Sequence, residues 1–469
     1  MTKPTVILGA GFAGLFTALH LCHRRYPRPV ILIDRAERFV FKPLLYELLS
    51  VEMTTDQVSP RFEELLTCSG IAYVQDRVTE IDLPKHEVKL ASGLCYSYSN
   101  LVLALGSTAN YFHTEGAAEH SMPFRSSEDA QQLKQHLRNC LQRASQTQSE
   151  SERRALLTVA VVGAGPAGVE MALTLADLLP QWYAKLGGNA QEIRIVILNR
   201  SQEILKGDIN SHLRETAVRA MQRRTVAVEL EFKAAVKAVS PEWVAYEQNG
   251  QRQQLPCATT IWTAGNTVNP LIEELPVSQD RRDRTGRLQV TPTLQLPDFP
   301  EVFAAGDCAY CDAHLPATAQ VAYQQGAAIA HNLAALAKGK PLKPASVHLR
   351  GTLMKLGLGE GAANLFDRLI VSGQVGHLIR QGTYLELLPN SVHNFKATTQ
   401  WLTDELFNHH QTAKKNTAVG QWLGSGVAIL VLMSTGLLAL KLAQPDTFDE
   451  MLQATGLATL LQLKDVEEE

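Results

Sequence analysis

Thr5-Val6-Ile7-Leu8-Gly9-Ala10-Gly11-Phe12-Ala13-Gly14 decides how this chain is read. Its first four residues predict a buried strand, and an apolar helical run follows the glycines to about Cys22. The next strand, Val30-Ile31-Leu32-Ile33, ends in Asp34. Gly9 permits a tight turn, Gly11 lets a pyrophosphate approach the backbone, and Gly14 lets the helix pack on the strand. Asp34 can hold both hydroxyls of an unphosphorylated ribose. Glycines at this spacing are weak alone, but strand, helix and acid in register make the dinucleotide fingerprint specific.

A second copy lies downstream. Thr158 to Val162 reads as a strand, Gly163-Ala164-Gly165-Pro166-Ala167-Gly168 repeats the turn, and Ile193 to Leu198 is the next strand. The repeat continues, because Leu101 to Gly106 and Thr260 to Gly265 return after their respective fingerprints at nearly equal separations. Two matched landmarks predict two similar βαβ units and two nucleotide sites. The sites differ at the ribose. The second strand runs on into Asn199-Arg200-Ser201 with no acid, and Arg200 can pair with a 2′-phosphate that a carboxylate would repel. The second site is therefore expected to accept NADPH alongside NADH; the plain alternative is an Arg200 that points to solvent. Glu170 opens the second helix, where an acid suits the positive end of the helix dipole.

A third landmark needs both fingerprints to make sense. Phe303-Ala304-Ala305-Gly306-Asp307 predicts a strand ending in a Gly-Asp turn, and Ala319-Gln320-Val321-Ala322-Tyr323-Gln324-Gln325-Gly326 opens a helix. An Asp at a strand end accepts hydrogen bonds from a polyol, and a helix start points its positive end across the loop. Gln324 and Gln325 lie in that helix, where either can cap a loop.

The 469 residues are too many for one core. With 45% hydrophobic and 19% charged residues the chain is globular, and a net charge of -3 without a basic stripe gives no reason to expect nucleic acid. The polar stretches Arg143 to Arg154 and Gln279 to Arg287 look like domain joints. The expected fold class is α/β, with two Rossmann-like dinucleotide-binding domains, the second inserted in the first, plus a C-terminal membrane-associated region. Residues 1–125 and 285–345 form the first domain, 155–278 the second, 346–407 a quinone and membrane interface, and 408–469 anchoring helices and a tail. Seven scattered cysteines suggest reduced thiols, and a strand starting at Thr5 leaves no room for a secretory signal peptide. Asn416 to Leu440 carries no charge and has the length of a bilayer span, although glycines and hydroxyl residues dilute it. A spanning helix, a monotopic helix and a buried interface helix all fit it; Phe448 to Leu463 then reads as amphipathic. The histidines show no metal-ligand spacing, His409 and His410 being adjacent, so no metal is expected.

The two fingerprints plus FAAGD resemble the two-dinucleotide-binding-domain flavoproteins related to glutathione reductase. That resemblance implies FAD in the first site and NAD(P)H in the second. It makes Asp307 the ribityl ligand, Asp34 the adenosine-ribose ligand, and Gly9, Gly11, Gly14, Lys42, Pro43, Leu44, Gly106, Gly163, Gly165, Gly168, Asn199, Arg200, Gly265 and Gly306 cofactor-binding candidates. Phe41-Lys42-Pro43-Leu44-Leu45-Tyr46-Glu47, the AQVAYQQG helix and the segment from Gly382-Thr383-Tyr384-Leu385 to Trp401-Leu402 are similar to type II NAD(P)H:quinone oxidoreductases. The likeness covers about residues 4 to 407. It implies two-electron transfer to a quinone, with Glu170, which would order the nicotinamide side or relay protons, and Gln324 and Gln325, whose neutral amides would line the quinone approach, as catalytic candidates. One weak span offers no proton channel, so no ion pumping is expected. The NADPH-leaning strand end points to the cyanobacterial and plastid branch that includes demethylphylloquinone reductases. Quinone and membrane lipid are the implied partners, a homodimer is allowed, and the catalytic body would face the cytoplasm or plastid stroma. A soluble reductase serving a protein partner, and a flavin-based redox sensor, are the competing readings. Cys308-Ala309-Tyr310-Cys311 has dithiol spacing but follows the Gly-Asp turn, and no cysteine lies beyond it as sulfide:quinone oxidoreductases require.

Overall fold

The computed structural model describes residues 3–389, without 68, 208–210, 312–314, 350 and 366–368, together with residue 398. Thr5–Leu8 lies inside a six-stranded sheet, paired in parallel with Val30–Asp34 on one side and Asn100–Leu103 on the other. Ala72–Gln75 extends the first side, Phe299–Ala304 the second, and Gln295–Leu296 closes that edge antiparallel. Thr5–Leu8 and Asn100–Leu103 are buried at every residue, as expected of parallel strands covered on both faces. The helices Phe12–His23 and Ala319–Leu336 pack together on this sheet. They approach so closely that a Cβ on Gly326 would collide with the Ala13 carbonyl oxygen, and Thr17 Oγ1 donates to Gly326 O at 3.2 Å.

The second copy repeats this plan. Thr158–Val162 sits between Arg194–Asn199 and Thr259–Trp262, with Val228–Phe232 outside, all parallel. Helix Pro166–Lys185 follows its turn. The duplication also reaches a feature that the glycines do not mark. Before Asn100–Leu103 in the first copy and Thr259–Trp262 in the second stands a three-stranded antiparallel sheet: Val78–Asp82, Glu87–Leu90 and Cys95–Ser97 in the first, and Ala235–Val239, Trp243–Gln248 and Gln251–Pro256 in the second. A further antiparallel sheet, Gly351–Lys355, Gly361–Leu365 and Leu369–Gly373, then leads into helix Gln374–Glu386.

One expected joint is not a loop. Arg143 to Arg154 is mostly helix, divided between Ser127–Gln146 and Glu150–Leu156. Ala130, Leu133, Leu137, Cys140, Leu141 and Ala144 bury one face of the longer helix, so the polar residues of the stretch lie on its solvent side. Ser126 and Asp129 form a capping box at its start, and Ser149 caps the helix that follows. Gln279 to Arg287 begins with the 3-10 turn Gln279–Arg281 and then runs through a loop in which Asp283 Oδ1 accepts from the amides of Thr285 and Arg287. Among the described residues no helix is long and apolar enough to cross a membrane. The run 416–440, with the rest of the expected anchoring region 408–469, lies outside them.

Candidate functional site

The two turns share one design. Gly9 has φ +92° and Gly163 φ +104°, conformations that L side chains rarely adopt. A Cβ on Gly14 would collide with the Gly9 carbonyl, and one on Gly168 with the Gly163 carbonyl. The middle glycines behave oppositely. Gly11 and Gly165 each begin a helix, and a Cβ on either would meet nothing within 4 Å. The outer glycines are thus demanded by the chain itself, while the middle ones front open space at a helix N-terminus. That space is an anion cradle and suits a dinucleotide pyrophosphate. Asp34 stands beside the first cradle: its Oδ2 accepts from Ala10 N at 2.6 Å and its Oδ1 from Ala36 N at 2.9 Å.

The Gly-Asp turn closes the first site from the far side. Gly306 has φ +72°, and its amide donates to Gln325 Oε1 at 2.8 Å. Asp307 Oδ2 accepts from Ser107 Oγ at 2.8 Å, next to Gly106 at φ +65°. Arg125 donates to Ser107 O at 2.7 Å and to Asn266 Oδ1 at 2.8 Å, beside Gly265 at φ +73°. Lys42, Pro43 and Leu44 form a short 3-10 turn, and Lys42, Arg125 and Asp307 interact electrostatically. Both glutamine side chains hold backbone. Buried Gln325 fixes Gly306, and Gln324 grips the main chain of His348 with both ends of its amide, at 2.9 and 3.1 Å.

At the end of the strand Arg194–Asn199 the polar residues Asn199 and Arg200 part ways. Asn199 is buried, and its amide nitrogen donates to Glu203 O at 2.8 Å, so it shapes the loop. Arg200 is exposed, with its guanidinium 5.8 Å from the Phe112 ring centre. Changing Arg200 to Glu is expected to move the NADPH/NADH ratio of kcat/KM toward NADH by about tenfold or more, the scale of one charge-assisted hydrogen bond. An unchanged ratio would remove Arg200 from phosphate recognition.

Glu170 lies at a junction of buried charge. Its Oε1 accepts from Lys355 N at 2.7 Å, and burial raises its pKa against the opposing pull of Arg380. Tyr46 OH donates to Ala167 O at 3.2 Å on the same helix. Next to them Glu47 Oε1 meets Lys355 Nζ at 3.0 Å and Arg380 Nη1 at 2.7 Å, with all three side chains at 0% exposure. Lys355 also pairs with Glu52, and Arg380 donates to the Pro43 carbonyl. Burial alone would raise the pKa of Glu52, but Lys355 and His377 pull it down to about 2. The cluster thus holds two carboxylates and two cations, and it ties the FKPLLYE turn to the Gly351–Lys355 strand and the Gln374–Glu386 helix.

Burial lowers the pKa of His377 to about 4. His377 is therefore neutral in the fold, and the unfolded chain takes up its proton as pH drops below about 6.5. Stability should fall by about 3 kcal/mol between pH 6.5 and 4 from this group. Thermal unfolding of His377→Gln should show a flatter profile across that window; an equally steep one would assign the slope elsewhere.

Cys308 is fully buried and donates to Ala305 O at 3.3 Å, and burial pushes its thiol up to about 11. It is a packed thiol, and Cys311 is free as well. Ser107, Arg125, Lys355 and Arg380 escaped sequence reading. For the charge cluster a signal existed: Glu47 is an acid inside the apolar run Leu44 to Leu49, which in a folded chain demands a buried cation.

Residues 3–326 match the family described as pyridine nucleotide-disulphide oxidoreductase. The chain belongs to that family, and so it is an FAD-dependent oxidoreductase that uses NAD(P)H. Among its relatives is the demethylphylloquinone reductase NdbB of Synechocystis sp., 33% identical over 86% of this chain and 97% of that protein. Another is the alternative NAD(P)H-ubiquinone oxidoreductase C1, chloroplastic/mitochondrial, of Arabidopsis thaliana, 33% identical over 85% of this chain and 80% of that one. Both agree with the likeness drawn from FKPLLYE and AQVAYQQG. The fold is shared with NDH2 from Plasmodium falciparum in complex with NADH, at TM-score 0.75 and 17% identity, covering 87% of this chain and 99% of the other.

Proposed function

We propose that the chain passes two electrons from NAD(P)H, with NADPH favoured, through FAD to a membrane quinone of the demethylnaphthoquinone type, such as demethylphylloquinone, without pumping ions. The names of the two relatives at 33% identity support quinone as acceptor. The observation that carries the reading is the junction at Glu170, where the second turn's helix meets the FKPLLYE turn and the strand of Lys355.

When bound, FAD supplies the two-electron redox centre between the two substrates. The chain's own residues then have these parts. Gly11 and Gly165 open the backbone to the pyrophosphates. Asp34 takes the adenosine ribose, and Asp307, oriented by Ser107 and Arg125, takes the ribityl hydroxyls. Gln325 acts through Gly306 by fixing the turn that carries Asp307. Gln324 ties the Ala319–Leu336 helix to the segment at His348. Quinone takes up two electrons and two protons, of which NADPH provides one as hydride. Glu170, whose pKa burial raises, passes on the other.

Purified protein should be yellow, and should oxidise NADPH faster than NADH with a rate that depends on the quinone supplied. A preparation without flavin, or turnover that no quinone in a panel of benzo- and naphthoquinones accelerates, would overturn this function. Retention of the full chain in membranes after carbonate extraction would separate integral from peripheral attachment.

A further inference from the structure

We infer that Phe112, together with Arg200, forms a clamp for the adenine ring of the pyridine nucleotide. The inference rests on reading the second turn as the NAD(P)H site, and it adds a recognition element that comes from outside that copy's sheet.

Phe112 is a large apolar side chain left 50% exposed. Its backbone sits at φ +51° and that of His113 at +55°, a region unfavourable for bulky residues. The surrounding loop enforces this conformation. Phe112 N donates to Asn110 Oδ1 at 2.8 Å, Trp262 Nε1 donates to Asn110 O at 3.0 Å, and the Tyr111 ring lies 5.5 Å from that of Trp262. A strained loop that leaves an aromatic ring half in water gains little from the ring's burial.

The ring's position gives the reason. It lies against Gly265, where a Cβ would collide with the Phe112 ring edge, and under the Arg200 guanidinium. Gly265 follows the strand Thr259–Trp262, and Arg200 follows Arg194–Asn199. These strands flank Thr158–Val162, so the ring stands over the carboxyl ends of the strands on both sides of the second cradle. That crevice is where ligands of open α/β sheets bind. A flat base needs about 3.5 Å on each face, about 7 Å between its neighbours. The present 5.8 Å must widen by only about 1 Å, and exposed Arg200 has the flexible stem to allow it. The base would then stack on the Phe112 ring and take a cation on its other face.

The test uses the FAD-loaded full chain. Calorimetric titration with 5′-AMP should show about tenfold weaker binding in Phe112→Ala than in wild type, the scale of losing one base-aromatic stack. KM should rise by a similar factor for NADPH and NADH alike with kcat unchanged. Phe112→Trp should preserve both values, whereas Phe112→Leu, which keeps apolar bulk without a flat ring, should not. Reduced nicotinamide mononucleotide has no adenine, and its KM should be the same in wild type and Phe112→Ala. Unchanged 5′-AMP affinity, or an equal rise in KM for the mononucleotide, would overturn the clamp. A wild-type protein that binds 5′-AMP through Phe112 yet reduces no quinone would keep the clamp and refute the proposed acceptor.

Discussion

Lys355→Met should lower stability by about 3–5 kcal/mol, read as a drop in the urea midpoint at unchanged slope. The substitution keeps length and apolar bulk but leaves Glu52 without its cation and Glu47 with Arg380 alone, both in a buried cluster. Glu47 is 0% exposed, and its Oε2 has no hydrogen-bond partner among the described residues, so it has no reserve of solvation to draw on. An uncompensated buried charge of this kind costs far more than an intact pair contributes. Adding Glu52→Gln to Lys355→Met restores one carboxylate against one cation and should recover part of the loss. The double variant would then be more stable than the Lys355→Met single variant, a coupling that distant, independent sites do not show. A Lys355→Met protein as stable as wild type would mean that water reaches the cluster. The same cluster fixes the Pro43 carbonyl through Arg380, so loosening it should also weaken flavin retention.

Gly14→Ala and Gly11→Ala should fail in opposite ways, although the residues are three positions apart. At Gly14 a methyl meets the Gly9 carbonyl, and backbone on both sides prevents relief. Overpacking of this sort costs at least about 1–3 kcal/mol, and here it would separate the helix from its strand, giving an insoluble or flavin-free chain. At Gly11 the methyl enters open space, so circular dichroism and melting of the flavin-free protein should be unchanged. Flavin affinity should nonetheless fall by more than about tenfold, because the methyl occupies the ground on which the pyrophosphate must approach the helix N-terminus. The second copy supplies the control. Gly165→Ala should keep its flavin and raise KM for NADPH, while Gly168→Ala should unfold that copy. A Gly11→Ala protein that binds FAD as wild type does would refute the assignment of the first turn.

The paired glycines explain why so much of the architecture was legible. Each is forced by a backbone collision or a positive φ within a few residues, so the requirement is written locally at Gly9, Gly14, Gly163 and Gly168. Thr5–Leu8 and Thr158–Val162 followed directly from those turns. The helical content of Arg143 to Arg154 did not, because most of its deciding apolar residues, from Ala130 to Leu141, lie upstream and the stretch itself shows mainly its wet face. Ser107 and Arg125 were invisible for another reason. Ser107 meets Asp307 only after the Gly-Asp turn has come back beside the first sheet, a pairing across 200 positions that no local period encodes. Lys355 and Arg380 are similar, joined to Glu47 across 308 and 333 positions. Gln324 and Gln325 stood out by composition, yet their amides serve backbone groups, which residue type alone does not reveal.

The parallel pairing of Phe299–Ala304 with Asn100–Leu103 has a consequence during synthesis. The earlier strand leaves the ribosome with its partner still untranslated for roughly 200 residues, about 10–40 s at bacterial elongation rates. Through that interval an apolar strand has one bare edge, the geometry that recruits foreign strands. The second copy is made entirely within this delay and can fold while the first waits. A nascent chain stalled before Phe299 would therefore be expected to hold a finished second copy beside a first copy whose sheet still has an open edge.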